Sequence, residues 1–148
     1  MNKEVNKKIP DADLSSAGDD FHILWTIKKS LELLNFDSLG IKAVNIEGVE
    51  LSESEQLDPT GKNLLGVDLS EYYGADNYLE AEKVIISQLK YSTLRSSKNY
   101  TIGELYIGKK SKSTNDSLIH RLADIFKLYL DEFGRKSVLN KVTINSLR

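Results

Sequence analysis

Two polar side chains follow an apolar run in the stretch 84–91, and their types and spacing suit chemistry on an anion. The run 84–86 (Val-Ile-Ile) is β-branched and unbroken, which is typical of a buried strand. Side chains alternate along a strand, so Gln88 and Lys90 are expected on the face that carries the first and third residues of the run. Because an unpaired buried ammonium is costly, Lys90 is expected to meet a carboxylate, an ion or a phosphate.

Asp68 is the candidate partner of Lys90. It lies in the segment 64–73, which the sequence also predicts to be a strand. On neighbouring strands, the acid and the Gln-x-Lys pair would lie at one end of the sheet. The alternative is that Asp68 and Lys90 form an ordinary ion pair there, without a catalytic role.

The elements before Asp68 are predicted to be a helix, a strand and a loop. Asp19 or Asp20 can cap a helix over 21–34. Ile41 to Gly48 is predicted to be a strand, and residues 49–63 are predicted to be a loop that tolerates changes of length. The apolar stripe of the helix consists of Phe21, Leu24, Trp25, Leu31 and Leu34.

The elements after Asp68 complete an α/β domain. Short links between the strand at 41–48, the Asp68 strand and the strand at 84–91 favour an antiparallel meander. A short helix over 102–107 and a basic loop over 109–114 follow. Asn115 or Asp116 then caps a helix that ends at Phe133 before Gly134, and a last strand covers 138–144. The helix stripe is Leu118, Leu122, Ile125, Phe126, Tyr129 and Phe133. We therefore expect a mixed or antiparallel-rich sheet of about four strands flanked by helices.

Composition indicates one soluble globular domain. The 148 residues are 40% hydrophobic and 28% charged, and residues 1–18 read as a flexible leader. The chain has no cysteine, which excludes disulfides and thiolate metal sites and is typical of a cytoplasmic protein. No apolar run approaches the length needed to cross a bilayer, so no membrane partner is expected.

Charge is segregated along the sequence. Residues 47–82 hold ten acids and one base, and residues 90–112 hold six bases and one acid. A basic segment beside acidic strands suits a protein that binds a phosphate backbone and cleaves it with a metal ion. The alternative is a pair of solvated segments that differ in sign by chance.

An acid on one strand and Gln-x-Lys on the next resembles the active-site pattern of the PD-(D/E)XK nuclease superfamily. The resemblance implies a restriction-endonuclease-like fold in which Asp68 and Gln88 bind Mg²⁺, with Mn²⁺ as the alternative ion, and Lys90 acts on the attacking water and the phosphate. Many members carry an acid where this chain has Gln88, and the Gln-x-Lys form is that of Mrr-like nucleases. Glu47, at the end of the preceding predicted strand, would supply a second catalytic carboxylate for the metal.

Four segments, 20–25, 45–49, 65–74 and 87–92, look like the amino-terminal nuclease domain of large bacterial antiphage proteins. These proteins include antiviral STAND ATPases, and the domain is similar to the double-stranded-DNA endonuclease effector of CBASS systems. The resemblance implies that residues 19–148 are a nuclease domain excised from a longer chain with a downstream ATPase or sensor domain.

The resemblance also implies that the domain cleaves double-stranded DNA without strong sequence specificity. It implies that the domain is active when the protein oligomerises. The expected DNA-backbone contacts are Lys90, Arg95, Lys98, Lys109, Lys110 and Lys112. The alternative is a catalytically inactive module of the same fold that binds nucleic acid or promotes assembly.

The two histidines lie on separate predicted helices. Neither His22 nor His120 has a third ligand nearby in the sequence, so both are expected to be structural or exposed.

Overall fold

The structure, a computed structural model, describes residues 11–34, 40–60, 64–90 and 117–147. Its elements in chain order are α1 (Asp11–Glu32), β1 (Ile41–Ile46), α2 (Leu51–Leu57), a 3-10 turn (Leu64–Gly66), β2 (Leu69–Tyr73), β3 (Lys83–Leu89), α3 (Leu118–Phe133), α4 (Arg135–Lys141) and β4 (Val142–Leu147).

The strands form one four-stranded mixed sheet in the order β1-β2-β3-β4. β1 pairs with β2 and β2 pairs with β3, both antiparallel, whereas β3 and β4 are parallel. The predicted α/β class, the mixed sheet flanked by helices and the three-stranded meander are therefore confirmed.

One face of the sheet is covered by α1. The β1–β2 register pairs Val44 with Glu71, so these side chains share a face. Lys29 of α1 reaches this face, and its Nζ lies 3.2 Å from Oε2 of Glu71. Ile46 on the same face lines a groove together with side chains of α1.

The opposite face carries the main core and is covered by α3. Tyr72 pairs with Val84 and Ser70 with Ile86, so all four point away from α1. The core there consists of Val49, Leu57, Leu64, Val67, Tyr72, Tyr78, Ala81, Val84, Ile86, Ile125, Tyr129 and Val138. Such burial on both sides of β3 agrees with its β-branched run.

The start of α3 is fixed by a side-chain cap. The hydroxyl of Ser117 accepts the N–H of His120 at 3.2 Å, so the cap is Ser117 and not Asn115 or Asp116. Gly134, at φ 78°, ends the helix after Phe133 as predicted.

Several predicted boundaries are wrong. α1 begins at Asp11, earlier than the predicted cap at Asp19 or Asp20. The predicted loop over 49–63 contains α2, because the Glu50 carboxylate caps that helix by accepting the N–H groups of Ser52 and Glu53 at 3.0 and 3.3 Å.

The predicted strand over 64–73 is shortened by the 3-10 turn. Val67 donates its N–H to the carbonyl of Leu64 at 2.9 Å, and Leu64 donates to Oδ2 of Asp58 at 3.2 Å. Asp68 consequently lies just before β2 begins, not inside a strand.

The last strand also begins later than predicted. Val138 belongs to α4, where it is fully buried in the core and accepts the N–H of Val142. β4 begins only at Val142, so a short, mostly polar helix with one buried residue, Val138, precedes the strand.

The predicted helix over 102–107 and the predicted basic loop over 109–114 lie outside the described residues. Within the described ranges, no helix is long and apolar enough to cross a membrane.

Candidate functional site

Asp68 is fixed to both neighbouring strands. Its Oδ2 accepts the N–H of Leu89 at 2.6 Å, and its own N–H donates to the carbonyl of Ser87 at 3.1 Å. Its carbonyl accepts the N–H of Glu47 at 2.9 Å. The start of β2 is therefore held between the ends of β1 and β3, with the Asp68 carboxylate beside the end of β3.

Gln88 lies next to Asp68 and has an amide oxygen available to a ligand. The β2–β3 ladder ends with Leu69 opposite Ser87, and continuing it by one residue sets Asp68 beside Gln88. Gln88 is only 3% exposed, and its Oε1 has no hydrogen-bond partner among the described residues. A buried acceptor without a partner costs about 1–3 kcal/mol. Binding a cation at this oxygen would recover that cost.

Lys90 and Glu47 complete the set of residues predicted for the site. Lys90 directly follows β3, is partly exposed, and its charge acts on Asp68. Glu47 follows β1 with φ 54°, in the left-handed region that few residues other than glycine adopt. Its backbone lies beside Asp68, but its side chain is exposed. Asp68, Gln88 and Lys90 thus lie at the same end of the sheet. Glu47 is near them through its backbone, while its side chain is exposed to solvent.

Two helices add residues that the sequence analysis missed. Nε2 of His22 on α1 lies 3.9 Å from Oδ2 of Asp68, and the charge of Arg121 on α3 also acts on Asp68. Nε of Arg121 has no hydrogen-bond partner within the described part of the chain. The available signal for His22 was its place in the segment 20–25 that carries the family resemblance. Arg121 had no such signal, because the pattern of α3 concerns only its apolar positions.

The environment of Asp68 combines partial burial with several positive groups. Burial is the largest influence and raises the pKa of this carboxyl above its ordinary value. The Leu89 N–H and the charges of His22, Lys90 and Arg121 act in the opposite direction without reversing the shift. Asp68 is therefore a partly buried acid whose charged form is stabilised by its positive neighbours.

The donors at this site suit a divalent cation. Carboxylate and amide oxygens are ligands that Mg²⁺ and Mn²⁺ accept, so Asp68 and Gln88 fit the expected ion. The described residues contain no group of three or more His, Cys, Asp or Glu side chains that could hold a metal ion. A metal site at Asp68 therefore needs a ligand of another kind, such as the neutral amide of Gln88.

The remaining residues predicted to contact DNA, namely Arg95, Lys98, Lys109, Lys110 and Lys112, lie outside the described residues.

Comparison with known proteins identifies no relative: no family model, no curated protein and no solved structure matches the chain.

Proposed function

We propose that this chain is a metal-dependent endonuclease domain with a restriction-endonuclease-like fold that hydrolyses phosphodiester bonds of double-stranded DNA. In this proposal it is the effector of a bacterial antiphage protein. The observation that carries the proposal is the position of Asp68 across the β2–β3 ladder from Gln88, whose buried amide oxygen has no partner among the described residues. The mixed sheet between α1 and α3 supports the fold assignment.

Asp68 and Gln88 would hold the ion, and Glu47 would contribute its exposed carboxylate. A divalent ion at such a site lowers the pKa of bound water and neutralises charge on the phosphate. The Leu89 N–H orients the Asp68 carboxylate, since it fixes Oδ2 from the backbone of β3.

Lys90 and Arg121 would stabilise the phosphate. Both positive charges act on Asp68, so a phosphodiester bound at this end of the sheet would also experience them. Preorganised positive groups stabilise the charge that develops on phosphate oxygens during hydrolysis. Arg suits this role because its planar guanidinium matches phosphate oxygens.

The test is plasmid degradation by the 148-residue chain in Mg²⁺ or Mn²⁺, with EDTA as the negative control. Asp68→Asn should reduce cleavage by about a hundredfold to a thousandfold, which is the scale of losing one electrostatic group of an active site. Lys90→Ala should reduce cleavage strongly and leave metal binding intact. Exposed Lys127 is the matched control, and Lys127→Ala should cleave like wild type. Full activity in a folded Asp68→Asn variant would contradict the proposal.

A second candidate is a catalytically inactive module of the same fold that binds nucleic acid or promotes assembly. The observation in its favour is that the site offers one half-buried carboxylate and a neutral amide, with no three-residue acidic or histidine cluster among the described residues. Calorimetry separates the two candidates. An inactive module would bind DNA without binding Mg²⁺ or Mn²⁺ at Asp68.

A further inference from the structure

We infer that His22 supplies a nitrogen donor beside Asp68 in the proposed metal site, so that the site takes a first-row transition ion such as Mn²⁺ or Co²⁺ in preference to Mg²⁺. The inference rests on the proposed metal site and assigns one more residue and a class of ion to it.

The distance between His22 and Asp68 carries the assignment. Nε2 of His22 lies 3.9 Å from Oδ2 of Asp68. This is too long for a hydrogen bond between the two atoms. Nitrogen and oxygen ligands lie about 2.0–2.2 Å from Zn²⁺, an ion of the same row, so one ion of this class between the two atoms can contact both.

His22 lies on a helix that is attached to the sheet. Two turns further along α1, the ammonium of Lys29 lies 3.2 Å from the Glu71 carboxylate on β2. Asp68 itself is fixed by the Leu89 N–H. Asp68 is thus fixed by a hydrogen bond, and His22 lies on a helix bound to the same sheet. Both side chains are largely buried, with His22 23% and Asp68 15% exposed.

The chemistry of the donors decides the class of ion. A site in which an imidazole nitrogen lies beside the Asp68 carboxylate differs from the all-oxygen surroundings that Mg²⁺ prefers. Imidazole binds transition ions better, and affinities rise from Mn²⁺ to Co²⁺ along the first row. With Gln88 neutral, the site also lacks the extra negative charge that would favour a hard ion.

The second histidine is a matched control. His120 lies on α3 with Nδ1 2.6 Å from the hydroxyl of Ser117. A variant at His120 removes the same chemical group from another helix.

The experiment measures binding of Mn²⁺, Co²⁺ and Mg²⁺ separately to the full chain by calorimetry. Wild type should bind Mn²⁺ and Co²⁺ at least tenfold more tightly than Mg²⁺. His22→Gln and His22→Ala should weaken Mn²⁺ and Co²⁺ tenfold or more and change Mg²⁺ less than twofold, whereas His120→Ala should change none. Asp68→Asn should weaken all three. Pulsed EPR of the Mn²⁺-loaded chain should detect a histidine nitrogen coupling that disappears in His22→Gln.

Three outcomes overturn the inference. Equal binding of Mg²⁺ and Mn²⁺ by wild type removes the selectivity. Unchanged Mn²⁺ binding and an unchanged nitrogen coupling in a folded His22→Gln variant would show that His22 is not a ligand. Loss of binding in Asp68→Asn would in that case still support the proposed metal site. Absence of any divalent binding by wild type overturns the proposed function together with this inference.

Discussion

Gln88 is the residue that most distinguishes this site from an acidic metal centre. Its amide is buried, and its oxygen has no partner within the described residues. A carboxylate at the same position would give the metal ion a negatively charged ligand. Without an ion, the same carboxylate would be a buried charge that lowers the stability of the folded protein.

We expect Gln88→Glu to lower stability in EDTA, because glutamate adds a buried charge to the cost of about 1–3 kcal/mol that the unpartnered amide already carries. It should raise affinity for divalent ions roughly tenfold, or about 1.4 kcal/mol. Denaturant unfolding and calorimetry measure the two effects. Gln88→Leu is the matched control, which should keep the stability and lose the ion. Higher stability of Gln88→Glu in EDTA would show that the site is already positive enough to hold a second acid.

A second buried carboxyl, Glu53, lies away from the candidate site. It is 4% exposed and accepts hydrogen bonds from the hydroxyls of Tyr129 and Tyr72, the latter at 2.8 Å. Burial raises its pKa above the ordinary value of 4.5, although both hydroxyl groups act in the opposite direction. The folded protein therefore retains a proton at Glu53 in a pH range where the unfolded chain has lost it.

Glu53 should make the protein less stable as pH rises. Between the ordinary pKa of 4.5 and the raised value, the folded state binds more protons, so the free energy of unfolding falls with pH. The slope within that range approaches about 1.4 kcal/mol per pH unit. Because glutamine does not titrate, Glu53→Gln should gain stability relative to wild type as pH rises from 4.5.

The measurement is urea unfolding of both proteins across a pH series. Glu55→Gln, on the exposed side of α2, is the control and should follow wild type throughout. A constant difference between wild type and Glu53→Gln at all pH values would contradict the raised pKa.

At the scale of elements, α1 is rotated from the orientation that its apolar stripe suggests. Leu24 and Leu31 belong to that stripe, yet they are 65% and 58% exposed. The side facing the sheet carries His22 and Lys29, which approach Asp68 and Glu71. Polar contacts with β2 thus decide which side of α1 faces inward.

Substitutions on the outer side of α1 should therefore have little effect on stability. Leu24→Gln and Leu31→Gln should each change the free energy of unfolding by no more than about 0.5 kcal/mol. Val138→Ala, at a fully buried position of α4, should cost about 1–3 kcal/mol. Denaturant midpoints compare the three variants. A loss of 2 kcal/mol or more at Leu24 or Leu31 would mean that these side chains are covered in solution.

The sequence predicted correctly those elements that are determined by the pattern of their own residues. The β-branched run of β3 and the apolar period of α3 predicted both elements, and the short links predicted the meander. α2 was missed because one of its two buried side chains, besides Leu57, is the charged Glu53, whose carboxyl reaches Tyr129, far away in the chain. His22 was assigned no role for a similar reason, since the rotation of α1 depends on tertiary contacts.

For the molecule as a whole, charge is divided between a described acidic part and a basic segment outside the described residues. If that segment binds phosphates, each contact releases counterions from DNA. Binding should then depend on salt and not on base sequence.

DNA affinity should fall roughly tenfold or more between low and physiological salt. Reversing Lys109, Lys110 and Lys112 to Glu should weaken binding equally on unrelated duplexes. Fluorescence anisotropy in Ca²⁺ measures both effects. The control reverses Lys127, Arg135 and Lys136, exposed bases on α3 and α4, for the same change of charge. Equal losses in the two triple variants would indicate an effect of net charge and not a local contact.

The parallel pairing of β3 with β4 affects how the chain folds during its synthesis. Val84 pairs with Val142, so the strand that carries Gln88 acquires its second neighbour from residues synthesised much later. Until then, a nascent chain presents β3 as an open edge rich in Val and Ile, which is a template for pairing with other chains. Truncations before Val142 should therefore aggregate during translation, even though the meander and its candidate site residues are already present.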